Sequence, residues 1–452
     1  MPLNGQMNGA SGLINNPTSS RARHLPLLPV SFQQRLALGL GLLLLCAGLM
    51  LNWRNSQLRG EDFGHIFVIS KSILERFDVY NATAVELPAV YKNYTNSDKF
   101  VPWGIFYPPS SGVALLPLAL LPYEIAKVLY FILSTALLLG GVYRLMQLFT
   151  DSLQLGTRVL ILGAVLCSAG ARWGFFYLQP APLVFGLLGL FLWELDKQRS
   201  VRAFPICAQV ILLKFTLFLP FAGLAIIRGR LLLVATAVAA WALANVVGFA
   251  LVGGIDAVNG YRANMTLFER PDQLNYPDFR APNSMQRLDW PYLLNALSPD
   301  LPRSQIIAML LTALLAAWLL WELYRARRFT DEPGTIVAFL GPLACFSLLS
   351  VYHHHYDAIA LLGPALLYLG RPAQPSDRLL ILLFVTPVIL FVGLWQVEKS
   401  QQLVEGFLGE GSSRGLKLIG TFCVNLAFGV SLVLLHRFIG RRRAEQLAVV
   451  AA

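Results

Sequence analysis

Apolar runs of membrane-crossing length recur through most of the chain. Residues 36–53, 125–143, 231–252 and 304–324 are the clearest, each about 18 residues or longer with few charges, enough to cross roughly 30 Å of hydrocarbon. A backbone in lipid has to satisfy its own hydrogen bonds, so runs of this kind fold as helices. With 56% hydrophobic and 13% charged residues, the chain has far more apolar matter than one soluble core could use. The fold class expected is an all-α polytopic membrane protein.

The formal net charge of +11 invites comparison with nucleic-acid binders, but the basic residues stand in short clusters at the ends of apolar runs, where they report orientation. No nucleic-acid partner is expected. Arg21, Arg23 and Arg35 precede the first run, which reads as an uncleaved span, and Arg144 closes the second. Lys197, Arg199 and Arg202 follow an outward and return pair at residues 159–176 and 181–195. By this count both termini are cytoplasmic, the protein is multi-pass in the plasma membrane, and residues 54–124 and 253–303 form two large outer loops.

The run at 203–227 carries Arg228 and Arg230 at its far end. If that end is cytoplasmic too, the run goes out and back as two half-helices, with Lys214 at a re-entrant tip inside the membrane. Further spans are expected near 335–351, 354–370, 379–397 and 415–436, about 12 membrane segments in all. Residues 108–121 are too short and too Pro-interrupted for a span and read as a Pro-started helix at the membrane face. Residues 62–77 read as a second helix lying along the interface. The chain divides into a disordered cytoplasmic tail at 1–30, one integral-membrane domain at 31–440 and a cytoplasmic tail at 441–452. Five cysteines without paired spacing support neither a disulfide framework nor a metal site.

Several polar residues could carry chemistry on the outer side. Asp62, just past the first span, could act as a general base toward a sugar hydroxyl, or be a solvated loop acid like its neighbour Glu61. His353, His354 and His355 project about 100° apart on a helix and cannot ligate one metal together. They could donate to a phosphate or a sugar, or sit with Tyr352 and Tyr356 in an aromatic belt. Lys214 and Arg172 could supply positive charge to a phosphate, although Arg172 is near enough to a span end to snorkel. Arg280, Asn283 and Ser284 in the second loop offer hydrogen bonds suited to a sugar, or form an ordinary polar loop.

Taken together, Asp62-Phe63, Asp78-Val79-Tyr80, Phe106-Tyr107-Pro108-Pro109, Leu115-Leu116-Pro117-Leu118, Lys214-Phe215-Thr216, Asn283-Ser284 and His353-His354 resemble glycosyltransferase family 87 in order and membrane placement, over roughly residues 36–437. The resemblance implies a GT-C-like bundle with juxtamembrane helices in the first outer loop. It also implies a polyprenyl-phosphate-linked sugar donor, as in the similar mycobacterial α-mannosyltransferases, and a catalytic Asp at the position of Asp62. Tyr107 joins Lys214, Arg172 and the histidines as donor-binding candidates, and Arg280, Asn283 and Ser284 face the acceptor or sugar. Family members often show Gly-Gln-x-Asn where this chain has Leu178-Gln179-Pro180-Ala181, Asp-Pro-Tyr where it has Asp78-Val79-Tyr80, and Lys-x-Thr-Pro where it has Lys214-Phe215-Thr216-Leu217.

A lipid phosphate is already a good leaving group, so one base can suffice where glycosidases use two carboxylates, and no metal or other cofactor is called for. The reaction implied is inverting transfer of a hexose, mannose above others, to a glycan or glycolipid on the outer face among membrane lipids. The competing expectations are a transporter or flippase of lipid-linked sugars, with Lys214 and Arg172 lining a path, and a scaffold subunit in which Asp62 tolerates substitution.

Overall fold

The computed structural model describes residues 30–82, 86–96, 105–149, 153–268, 270, 276–278, 287–298, 300–329, 333–351, 353–370, 375–394 and 412–451. Every regular element among them is helical. The expected tail at 1–30 lies outside the described residues except for Val30, which opens α1 (Val30–Leu58).

The first outer loop folds as α2 (Glu61–Glu75), α3 (Glu86–Thr95) and α4 (Pro109–Ala119). Pro109 takes the first helical position of α4, where its missing N–H costs nothing and its fixed φ suits the turn. The expected interfacial helix is α2, but it does not lie on a lipid surface. Residues 63–70 are all buried, and Phe63 stacks on Tyr130 with ring centroids 4.5 Å apart. Its buried residues lie on more than one face and include the polar His65, Ser70 and Ser72.

The chain continues through α5 (Tyr123–Phe149), the pair α6 (Leu155–Cys167) and α7 (Ala169–Tyr177), and α8 (Pro180–Asp196). The α6–α7 pair bends by 51° at Ser168, whose hydroxyl caps α7 by accepting from Ala171 N. Helices α5 and α8 meet backbone to backbone: a Cβ on Gly141 would stand 2.1 Å from Gly186 O, and one on Gly186 would stand 2.2 Å from Leu137 O. Small residues at such crossings let helices approach without a side chain between them.

Next comes α9 (Ser200–Ile227), interrupted at Lys214, where φ −156° and ψ 76° leave helical space. A straight helix of this length would carry its end about 40 Å from its start. Instead Arg228, just past the end, donates to Leu195 O at 3.1 Å and pairs with Asp196 at 3.7 Å, four residues before Ser200. The helix therefore turns back at Lys214, and both its ends lie at one end of the bundle. This is the hairpin expected from Arg228 and Arg230.

Beyond it run α10 (Leu231–Val252), α11 (Ile255–Phe268), α12 (Trp290–Leu297), α13 (Leu301–Ala326), α14 (Pro333–Ser350), α15 (Leu362–Gly370), α16 (Arg378–Val388) and α17 (Ser412–Ala451). Among the described residues six helices are long and apolar enough to cross a membrane, or seven if α6 and α7 count as one span. About 12 were expected. One of the six, Ser200–Phe218, runs through the apex of the hairpin. The shortfall has local causes. The expected span at 354–370 is a 3-10 turn, His355–Leu361, followed by the nine residues of α15. The span at 379–397 changes at Pro387 from α16 to a π-helical turn, Ile389–Leu394, because proline withholds a backbone donor from the ladder. The expected tail at 441–452 continues α17 as far as Ala451.

Candidate active site

Asp62 is placed by the turn that ends α1. Gly60 adopts φ 89°, a left-handed conformation that glycine reaches without penalty, and its N–H donates to Phe176 O at 3.1 Å. The start of α2 is thereby tied to the end of α7. Tyr107 comes from the non-helical stretch before Pro109, at a bend followed by the extended Pro108 (φ −71°, ψ 161°). The Tyr80 hydroxyl donates to Tyr107 O at 3.0 Å, and Asn245 of α10 accepts from Ser110 N at 3.1 Å, which fixes the entry to α4.

The Tyr107 hydroxyl lies 3.0 Å from Asp62 Oδ1 and 3.0 Å from Gln179 Oε1. Gln179 precedes α8, with Pro180 opening that helix. The residue before it, Leu178, sits at φ 51°, where the resemblance led us to expect glycine. An L side chain there costs about 1–2 kcal/mol, and the full burial of Leu178 offsets that cost.

At the apex of the hairpin, Lys214 Nζ donates to Asp357 Oδ1 at 2.5 Å and stands 5.5 Å from the centre of the Tyr356 ring. His353 Nδ1 meets the other oxygen, Asp357 Oδ2, at 2.8 Å. The His353–His354 stretch is extended, and His354 bridges to Arg287 as an isolated antiparallel pair. Leu288 N donates to His353 O at 3.1 Å, and Arg287 forms a buried ion pair with Asp289. The two halves of the cluster feel each other: the charge of Lys214 acts on Asp62, and that of Asp357 acts on Tyr107.

Burial pushes the Asp62 carboxyl from 3.8 up to about 7. The Tyr107 hydrogen bond opposes the rise, the adjacent Glu61 charge adds to it, and Lys214 and Gln179 counter it. Tyr107 is itself held well above the ordinary tyrosine range, by burial first and then by the charge of Asp62. It is therefore a hydroxyl donor at any working pH. A carboxylate that titrates near neutrality beside a fixed donor is suited to take up a proton during a reaction.

The expected residues thus divide. Asp62, Tyr107, Lys214 and His353 come together. His354 sits beside them with its ring 5.0 Å from that of Tyr356. Arg172 stands apart on α7, its Nε enclosed and without a hydrogen-bond partner among the described residues. Arg280, Asn283, Ser284 and the His355 side chain lie outside the described residues. His353 is fully buried, so its visible role is to hold Asp357. Two members were not expected, Gln179 and Asp357. A carboxylate immediately before the apolar stretch that starts at Ala358 can be suspected as the partner of an intramembrane lysine, whereas Gln179 is marked only by its place in the Gly-Gln-x-Asn comparison and by no feature of its own neighbourhood. Among the described residues no group of three His, Cys, Asp or Glu side chains could hold a metal ion.

The family model for glycosyltransferase family 87 matches residues 105–351, which is 247 of the 452 residues and more than half of the chain. The chain belongs to that family. It is a membrane-embedded glycosyltransferase, working between a sugar donor and an acceptor. No curated protein matches it. The matched stretch contains Tyr107, Gln179 and Lys214 but begins after Asp62 and ends just before His353. The parts played by Asp62 and by the His353–Asp357 turn therefore rest on geometry.

Proposed function

We propose that the protein is an inverting hexosyltransferase that moves a sugar, mannose by the resemblance above, from a polyprenyl phosphate to a glycan or glycolipid on the extracytoplasmic face of the plasma membrane. The observation that carries this reading is Asp62: a carboxyl titrating near neutrality, hydrogen-bonded to Tyr107 and within the field of a lysine at the apex of a hairpin.

The acceptor hydroxyl attacks C1 of the sugar from the face opposite the phosphate. As the new O–C1 bond forms, the hydroxyl proton passes to Asp62, and the C1–O bond breaks with its electron pair remaining on the polyprenyl phosphate. Configuration at C1 inverts. The single Tyr107 proton can point at either of two acceptors, Asp62 or Gln179. It stabilises Asp62 while that group is ionised and turns to Gln179 once Asp62 carries the transferred proton. Lys214 offers positive charge to the leaving phosphate, stabilisation of the kind that preorganised cations supply. Asp357 and His353 keep its ammonium in place until the donor arrives. The Lys214–Asp357 pair is shared by the transporter reading, which the test below separates from transfer.

The test is transfer of labelled sugar from synthetic polyprenyl-phosphate donors to membrane lipid extract, with wild type and Asp62→Asn compared. The expected result is transfer by wild type and its loss in a folded, donor-binding Asn variant. Equal transfer by both would remove Asp62 from the mechanism. Protein-dependent movement of lipid-linked sugar across liposomes, without transfer, would point to a transporter.

A further inference from the structure

At the end of the bundle remote from Asp62, the base of the α9 hairpin encloses a cleft of about 510 Å³ between the starts of α9 and α10. Ser200, Val201, Phe204, Arg230, Leu232 and Thr236 are among its lining residues. A second cleft of about 520 Å³ adjoins it along residues 198–202 and shares Ser200 and Val201.

Four observations converge on this place. Both helices begin here without a side-chain cap, so the first turns of α10 and of the outgoing limb of α9, which ends at Lys214, lie at one cleft. Helix starts attract anions through their first N–H groups and through the helix dipole. The Ser200 hydroxyl is enclosed yet has no hydrogen-bond partner among the described residues. The charge balance is positive: Glu194 faces Arg199, and Asp196 faces Lys197 and Arg228, while Arg202 and Arg230 meet no carboxylate among the described residues. Below this polar rim the wall is apolar and open, with Val201 89% and Leu232 76% exposed.

A polar rim of cations and helix N-termini above an open apolar wall, on a multi-pass membrane protein, has the profile of a phospholipid: headgroup phosphate at the rim, acyl chains along the wall. We propose that the base of the α9 hairpin is a binding site for an anionic phospholipid. Its phosphate lies between Arg202 and Arg230 and faces the starts of α9 and α10, with Ser200 behind it in the wall shared by the two clefts. The lipid ties together the two strands of the hairpin whose apex carries Lys214. This inference depends on the membrane-spanning fold and not on the reaction proposed above.

The test is native mass spectrometry of the full chain after delipidation and re-addition of equal amounts of phosphatidylglycerol and phosphatidylcholine. Wild type is expected to retain phosphatidylglycerol selectively. Arg202→Gln with Arg230→Gln is expected to weaken that retention by about fivefold per arginine, and Arg202→Lys with Arg230→Lys to preserve most of it. Equal retention of both lipids by wild type, or undiminished selectivity in the Gln variant, would overturn the proposal, as would loss of selectivity in a folded Lys variant. Inorganic phosphate is added to wild type as a competitor. Displacement of the lipid by it at low concentration would mark a site for free phosphate and refute the lipid assignment. Should the Gln variant fail to fold, lipid selectivity and phosphate competition in wild type decide the matter.

Discussion

The Tyr107 hydroxyl lies midway between Asp62 and Gln179, 3.0 Å from an oxygen of each, and its one proton can serve only one of them at a time. With Asp62 titrating near 7, the base form grows as pH rises through that value. The expectation is a kcat/KM that climbs through about pH 7 and levels above it. Tyr107→Phe removes a hydrogen bond to the ionised form, so the rising limb should move upward by about one to two pH units, corresponding to the ~1.5–3 kcal/mol of a bond to a charged group. A pH-rate profile of the two proteins checks this. An unmoved limb would detach Tyr107 from the titration of Asp62.

Asp62→Asn should separate activity from stability. Activity should fall by about 10²–10⁴-fold, the contribution of a positioned base. Stability should move the other way. The folded carboxyl is raised from 3.8 to about 7, so between these values the folded state binds more protons than the unfolded one. Stability is then greatest below about pH 4 and declines as pH rises through about 7. The amide avoids that loss, so the variant should be more stable than wild type at pH 8 by up to about 4 kcal/mol. Its advantage should shrink toward pH 4. Partial exposure of Asp62 places the gain below that ceiling. Thermal unfolding at the two pH values is the measurement, and a variant no more stable at pH 8 would contradict the cause assigned to the shift.

How far the sequence could be read depended on whether its signal was local. The run at 231–252 coincides with α10 because twenty-two residues without a charge, nearly all apolar, leave lipid-exposed chain no alternative to a helix. The hairpin was legible because Arg228 and Arg230 break the alternation of charge across spans. The α4 helix was legible from the Pro-Pro pair that opens it, while position alone left Asp62 open between a base and a solvated acid, and only the resemblance singled it out. Gln179 was not legible, since it reaches Tyr107 across 72 residues of sequence. The three histidines could not be told apart for a related reason. Their adjacency gives no sign of which side chain goes where, whereas the chain is extended at His353 and His354, which sends His353 into the core and onto Asp357.

Gly186 should be among the least replaceable residues of the bundle. A Cβ there would stand 2.2 Å from Leu137 O and 2.3 Å from Leu137 C, both backbone atoms that no rotamer change can move. Gly186→Val should therefore force α5 and α8 apart, with a loss of about 3 kcal/mol or more, beyond ordinary overpacking. Gly140→Val, where a Cβ would meet nothing within 4 Å, is the control. Expression and thermal unfolding of the two variants in detergent read the difference.

The turn of α9 predicts which residues share a side of the membrane. In a cysteine-free background, Lys197→Cys and Leu231→Cys should react with an impermeant maleimide from one side, and Asn81→Cys, beside the outer helices, from the other. If residues 197 and 231 labelled from opposite sides, α9 would be a single crossing and the return inferred from Arg228 and Leu195 would be lost.

The pair of Lys214 and Asp357 can be tested by a cycle that separates stability from chemistry. Asp357 is 1% and Lys214 18% exposed, so solvent screens little of the interaction. Removing one partner from such a pair strands the other charge, at a cost of about 3–5 kcal/mol. The partial exposure of Lys214 places the loss at the lower end of that range. Lys214→Met should therefore destabilise the protein by about 3 kcal/mol, with Asp357 left to His353 alone. The double variant Lys214→Met with Asp357→Leu should recover much of that loss, since two apolar side chains can replace a buried ion pair. Transfer should not recover with it, because the cation that faces the leaving phosphate is absent from both. A double variant that regained stability and activity together would show that Lys214 serves the fold alone, and would move the phosphate to another cation.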